Sequence, residues 1–128
     1  MSKILISGSS GFIGKNLLEI LTEKTCLEIH TIQSSIETKN KKSLSHNLPN
    51  NKFDIEKLIL DIKPDVFIHL AWKGIPSYSL ENSIYSINNT VNLINACLKA
   101  GTKKIIVTGS CWEYLNPKGR ITENWQLD

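Results

Sequence analysis

Residues 3–14 read Lys3-Ile4-Leu5-Ile6-Ser7-Gly8-Ser9-Ser10-Gly11-Phe12-Ile13-Gly14, and three glycines at a spacing of three follow directly on an apolar run. Ile4-Leu5-Ile6 is short and apolar on consecutive positions, the pattern of a parallel strand covered on both faces. From Phe12 the apolar residues Ile13, Leu17, Leu18, Ile20 and Leu21 recur near helical spacing, which predicts a helix over about 12–24. A strand that breaks at glycine and re-forms at once as a helix makes a tight turn, with the helix N-terminus at its mouth. A dinucleotide pyrophosphate needs such a turn. The chain must reverse, backbone must approach the phosphates, and helix must press on strand, each easier without a β-carbon. The unpaired N–H groups and positive dipole end of the helix then face the phosphates. Gly8, Ser10, Gly11, Phe12, Ile13 and Gly14 are therefore the first candidate cofactor-binding residues.

Outward from this turn the chain alternates. Leu27–Gln33 reads as a second strand, and a weak strand is expected within Ser43–Leu48, inside a polar stretch from Ser34 to Lys52. Asp54 is the expected cap of a helix carrying Ile55, Leu58, Ile59 and Ile62, which Pro64 ends. Val66–Leu70 is the next buried strand, a long amphipathic helix over roughly 80–99 stops at Gly101, and Ile105–Thr108 is the last clear strand. Strands alternating with helices imply α/β architecture: a Rossmann-like, three-layer, doubly wound parallel sheet with right-handed crossovers, here expected in the order 3-2-1-4-5.

The 128 residues fit one domain, residues 1–128, with 41% hydrophobic and 21% charged residues, as in ordinary globular chains. The net charge of +3 is modest, and the only basic cluster, Lys39, Lys41 and Lys42, reads as a solvated loop, so no nucleic-acid partner is expected. Cys26, Cys97 and Cys111 form no CxxC pair, which argues against a disulfide framework or a metal site. No apolar run nears the roughly 18 residues of a membrane span, and the N-terminus enters a strand at once. A reducing, cytoplasmic setting is the expectation.

NAD enzymes of this architecture place a carboxylate about 20 residues beyond the glycines, against the ribose hydroxyls. In this chain that place falls to Gln33, followed by Ser34 and Ser35. An amide and hydroxyls can donate to a 2′-phosphate, with the three lysines nearby. Gln33 and Ser34 thus join the cofactor-binding candidates, and NADP is favoured slightly over NAD.

Gly8-Ser9-Ser10-Gly11-Phe12-Ile13-Gly14 is a literal GxxGFIG, and it resembles the extended short-chain dehydrogenase/reductase group, which holds the NAD-dependent epimerases and dehydratases of nucleotide-sugars. Pro64-Asp65-Val66-Phe67-Ile68-His69-Leu70-Ala71 resembles that family's fourth strand, which implies that Leu70 and Ala71 line the nicotinamide side of the cofactor. His69 invites a catalytic role, but inside an apolar strand it reads as a packed, hydrogen-bonded histidine. The family's adenine contact has its counterpart in Asn47-Leu48, unless Asn47 is an ordinary loop residue before Pro49. Thr108-Gly109-Ser110-Cys111-Trp112-Glu113-Tyr114 resembles the serine segment after strand five, so Ser110 falls on the catalytic serine that hydrogen-bonds the substrate oxygen. Thr90-Val91-Asn92-Leu93-Ile94-Asn95-Ala96 matches a family helix, but Ser86 stands where relatives carry Asn, which puts local packing there in doubt.

The family also needs a Tyr-x-x-x-Lys on a later helix. Tyr114 and Lys118 have that spacing, but Pro117 and Gly119 make a helix there untenable, so the pair is a decoy. The resemblance implies the NAD(P)-binding part of an enzyme moving hydride to or from a sugar carbon of a nucleotide-sugar, with the acid/base pair and substrate domain beyond Asp128. The chain alone is then expected to be inactive; the other reading is a non-catalytic dinucleotide-binding module. The fifth strand would lie at a sheet edge, from which self-association, as a homodimer or edge to edge, is expected.

Overall fold

Ile4, Leu5 and Ile6 are apolar on consecutive positions because β1 (Ser2–Ser7) is the middle strand of the sheet, buried on both faces. The computed structural model describes residues 1–24, 26–33, 43–74, 79–110, 114 and 119–125. After β1 come α1 (Phe12–Thr22), β2 (Leu27–Gln33), β3 (Leu44–Asn47), α2 (Lys52–Ile62), β4 (Val66–His69), α3 (Leu80–Lys99) and β5 (Lys104–Val107). All strands pair in parallel, in the order β3-β2-β1-β4-β5. The expected order and doubly wound architecture are the observed ones.

The sheet separates two cores. Leu5, Ile32 and Phe67 point to the face covered by α2 and α3, where Ile55, Ile59, Ile62, Leu93, Ala96 and Cys97 meet them. Ile4, Ile6, Ile29 and Ile68 point the other way, onto Leu18 of α1. Alternation along each strand accounts for the division. Burial also pushes the Cys97 thiol up to about 11, which makes it a packing residue. No described helix is long and apolar enough to cross a membrane, and no group of three or more His, Cys, Asp or Glu among the described residues could hold a metal ion.

Two local expectations are corrected. Helix α2 starts a turn earlier than its apolar residues suggest, because Asn51 and not Asp54 is its cap. Asn51 is extended, and its side-chain oxygen accepts the N–H groups of Phe53 (3.1 Å) and Asp54 (3.0 Å). Asp54 in turn accepts from the Asn51 side-chain amide at 2.7 Å and sits as a carboxylate in the first turn, where the helix dipole favours it. Helix α1 has a narrower apolar face than predicted. Phe12, Ile13 and Ile20 are exposed, and the packed stripe is Gly14, Leu17, Leu18 and Leu21. Those four lie at i, i+3, i+4 and i+7, one face of a helix.

From β1 the chain moves outward to β2 and β3, then crosses back through α2 to β4 on the other side. The reversal leaves a crevice at the carboxyl ends of β1 and β4, where open α/β sheets bind ligands.

Candidate functional site

The turn after β1 closes with Gly11 N–H donating to the Gly8 carbonyl at 3.1 Å, and Gly8 has a left-handed φ of +76°. A β-carbon on Gly8 would stand 2.7 Å from the Ala71 nitrogen and from the Leu70 carbonyl carbon. One on Gly14 would stand 2.2 Å from the Gly8 carbonyl oxygen and 2.6 Å from Ser9 Cα. Backbone occupies both places, so neither glycine can take a side chain without moving the turn. Gly11, whose added β-carbon would come no nearer than 3.3 Å, is far more tolerant. It is also the N-cap of α1, with no side-chain cap and no acidic residue in the first turn, so the helix keeps its positive end.

In front of this turn lies a cavity of about 460 Å³. Ser7, Gly8, Ser10 and Gly11 form its wall on one side, and His69, Leu70, Ala71, Trp72 and Lys73 line it after β4. Ile32, Gln33 and Leu48 close it at the β2 and β3 end, and Tyr85, Ser86, Asn89 and Leu93 of α3 close it from above. The expected residues Gly8, Ser10, Gly11, Gln33, Leu48, Leu70 and Ala71 are thus brought together on one surface. Phe12, Ile13 and Gly14 stand behind the wall in α1, Gly14 as a packing contact and Phe12 and Ile13 with exposed side chains. Asn47 ends β3 and lies outside the cavity lining, which Leu48 reaches instead. Ser110 is exposed, three residues past the end of β5, and is not in the lining. Ser34, Ser35, the lysines at 39, 41 and 42, Cys111, Trp112, Glu113, Pro117 and Lys118 lie outside the described residues.

Gln33 ends β2 and lines the cavity, and its side chain also makes a contact that the sequence does not show. Its side-chain amide donates to Ser9 Oγ at 3.0 Å, with both residues buried. The donor assigned to a 2′-phosphate is thereby engaged in supporting the glycine turn from behind.

His69 is buried, as expected, with hydrogen bonds at both ring nitrogens: Ser7 Oγ at 2.5 Å and Thr90 Oγ1 at 2.8 Å. Burial lowers its pKa below the ordinary 6.5. Ser86 is buried and accepts the Lys73 N–H at 3.0 Å, so its hydroxyl has a packing role of its own.

Several lining residues escaped the sequence reading. Lys73 is the one formal cation among the described lining residues, its ammonium 4.4 Å from the centre of the Tyr85 ring. Tyr85, Ser86 and Asn89 are legible only as part of the polar side of an amphipathic helix. Such a side reads as solvent-facing until the sheet beneath it is known.

The comparisons agree with this geometry. Residues 4–126 match the NAD dependent epimerase/dehydratase family. The chain is 31% identical over 135 residues to a UDP-glucose 4-epimerase of Pisum sativum, covering 91% of this chain and 39% of that one. In structure it is similar to the UDP-Glc/GlcNAc 4-epimerase from Campylobacter jejuni, with a TM-score of 0.82 at 22% identity, over 100% of this chain and 43% of that one. It is also similar to the UDP-glucose 4-epimerase of Thermus thermophilus solved with NAD, with a TM-score of 0.78 at 19% identity, over 98% of this chain and 44% of that one. The chain therefore spans less than half the length of these relatives. With the glycine turn, the strand order and the match over residues 4–126 in agreement, the chain belongs to the NAD dependent epimerase/dehydratase family.

Proposed function

We propose that this chain holds the dinucleotide of an NAD(H)-dependent enzyme that acts on a nucleotide-linked sugar. The observation that carries the reading is the turn between β1 and α1. Gly8 and Gly14 leave no room for a side chain, and the uncapped start of α1 opens beside a cavity at the sheet's switch point. Such a turn fits a pyrophosphate, whose charge the helix dipole and the first-turn N–H groups offset. Leu70 and Ala71 would lie along the nicotinamide half, and Ile32, Gln33 and Leu48 would enclose the adenosine half.

When bound, the nicotinamide supplies or accepts hydride at a sugar carbon. The chain's own part is to bind, orient and exclude water. The apolar surfaces of Leu48, Leu70 and Leu93 exclude solvent, and Lys73 brings a positive side chain to the lining. Ser110, beyond the end of β5, is proposed to hydrogen-bond the sugar oxygen, as the likeness of its segment implies. NAD is the cofactor of this proposal and not NADP, because the Gln33 amide is engaged by Ser9 and the relative from Thermus thermophilus was solved with NAD.

Calorimetric titration with NADH and NADPH tests this. Binding of NADH, and weaker binding of NADPH, is expected. Equal or tighter NADPH binding would overturn the choice of cofactor, and no binding of either would overturn the assignment of the cavity.

A further inference from the structure

The floor of the cavity carries a chain of hydrogen bonds whose protons can be assigned one at a time. Thr90 Oγ1 donates to the Ser86 carbonyl at 2.8 Å, so its oxygen is the acceptor at the 2.8 Å contact with His69 Nε2. His69 Nε2 therefore carries a hydrogen. Nδ1 is then the bare nitrogen of a neutral ring, and Ser7 Oγ donates to it. At the far end, Ser86 Oγ accepts the Lys73 backbone N–H.

The places this chain joins are the ones the cofactor reading depends on. Ser7 directly precedes Gly8, and His69 directly precedes Leu70 and Ala71. The missing β-carbon of Gly8 would stand 2.7 Å from the Ala71 nitrogen, so the two loops touch without a side chain between them. The Leu70 N–H donates to the Ser7 carbonyl at 3.0 Å, and the Ser7–His69 bond lies beside that backbone link. Thr90 then fastens the same imidazole to α3, and Ser86, whose carbonyl accepts from Thr90, ties that turn of α3 to the loop after β4 through the Lys73 N–H.

We propose that His69 is a positioning residue: one imidazole clamps the glycine turn, the loop after β4 and helix α3 at the spacing a dinucleotide requires. The proposal rests on the reading of the cavity as a cofactor site. The groups facing His69 are the Ser7 hydroxyl of β1, the Phe67 ring of β4 at 5.7 Å, the Thr90 hydroxyl of α3, and Val107, its register partner on β5. Among the described residues, the titratable side chains elsewhere in the cavity lining are Lys73 and Tyr85. None of these is a carboxylate that would favour an imidazolium. Protonation would place a second hydrogen between Nδ1 and Ser7 Oγ and turn the serine away, loosening the clamp as pH falls.

The test uses the whole chain, ¹⁵N-labelled, with His69→Phe, His69→Asn and His69→Gln. Phe keeps the ring and loses both bonds. Asn can keep the acceptor towards Ser7, and Gln the donor towards Thr90. Imidazole ¹⁵N spectra are expected to show a neutral Nε2–H ring that stays neutral below pH 6.5. NADH affinity is expected to drop roughly tenfold or more in His69→Phe, since two hydrogen bonds are lost, with partial rescue by Asn or Gln. An Nδ1–H ring, a freely titrating ring, or unchanged NADH affinity in His69→Phe would overturn the clamp. If the unaltered chain binds no NADH, the cofactor reading fails by itself. The clamp is then decided by the ring spectrum and by whether the Gly8 and Ala71 amide signals move in the variants. If His69→Phe does not fold, the Asn and Gln variants decide it by the same two measurements.

Discussion

The centre of the sheet and its β3 rim are held together by different means. At the centre, β1 and β4 are buried on both faces, and the turn above them is fixed by contacts between backbone atoms: Gly8 against Leu70 and Ala71, Gly14 against Ser9. At the rim, β3 is four residues long with no buried residue, and polar side chains tie it to β2. Thr31 Oγ1 donates to Ser45 Oγ at 3.1 Å, and the stacked rings of His30 and His46 are joined nitrogen to nitrogen at 2.9 Å. Glu28 completes this cluster, accepting from His30 Nε2 at 2.7 Å, with the Lys3 ammonium 3.7 Å away. The centre tolerates no added atom. The rim depends on which groups carry a proton.

The largest expected effect is at the centre. Gly14→Ala puts a methyl 2.2 Å from the Gly8 oxygen, where nothing flexible can give way. A stability loss of about 1–3 kcal/mol by urea denaturation is expected, with NADH binding abolished, because the turn must open to admit the methyl. A chain that binds NADH normally with this substitution would show that the turn is not tight.

Next in size is a pair of leucines. Leu5 is fully buried in β1, and Leu44 in β3 is 55% exposed. Leu5→Ala is expected to cost about 2–5 kcal/mol, and Leu44→Ala no more than about 0.5 kcal/mol. Similar losses at the two sites would erase the contrast between centre and rim.

Acid should separate the regions further. The pKa of His46 is lowered from 6.5, by burial first and by the neighbouring His30 second. A histidine whose pKa is lower folded than unfolded binds its proton more readily when unfolded. Its contribution to stability is therefore full above about pH 6.5 and is lost as pH falls through the lowered, folded value. Amide exchange at Leu44–Asn47 should accelerate over that window, ahead of exchange in β1. Uniform acceleration along both strands would mean that the rim is not a separate unit.

The smallest effect on folding is expected at the opposite rim. Among the described residues β5 is the last strand of the sheet, with Ile106 and Val107 40% and 48% exposed, and we propose this strand as a template for pairing with another copy. Ile106→Lys should leave stability within about 0.5 kcal/mol and lower self-association seen by light scattering at high concentration. A monodisperse monomer before substitution would contradict the association itself.

The same contrast explains how far the sequence could be read. The centre was legible because its constraints are local. A glycine triplet after Ile4-Leu5-Ile6 and the helical spacing of Leu17, Leu18 and Leu21 lie within one stretch of chain, although Phe12, Ile13 and Ile20 fall outside the packed stripe, and β2 and α3 fall on the expected residues. The α2 cap was misplaced because Asn51 lies a turn ahead of the apolar pattern that betrays the helix. Lys73, Tyr85 and Asn89 were missed because they converge only when α3 folds over the loop after β4. The bond from Gln33 to Ser9 is not legible in the sequence, since nothing there reveals that Ser9 turns back towards β2.

In the proposed function, the glycine turn and the loop after β4 form one cradle for the dinucleotide. Amide spectra of the labelled chain, recorded as NADH is added, test it most directly. The largest shifts are expected at Gly8, Ser10, Gly11, Leu70, Ala71 and Lys73, with little change at Leu44–Asn47 and loss of all shifts in Gly11→Glu, whose carboxylate would repel the phosphates and whose β-carbon, 3.3 Å from the Gly8 oxygen, asks far less of the turn than one on Gly8 or Gly14. Shifts confined to the rim, or the same shifts in Gly11→Glu, would contradict it.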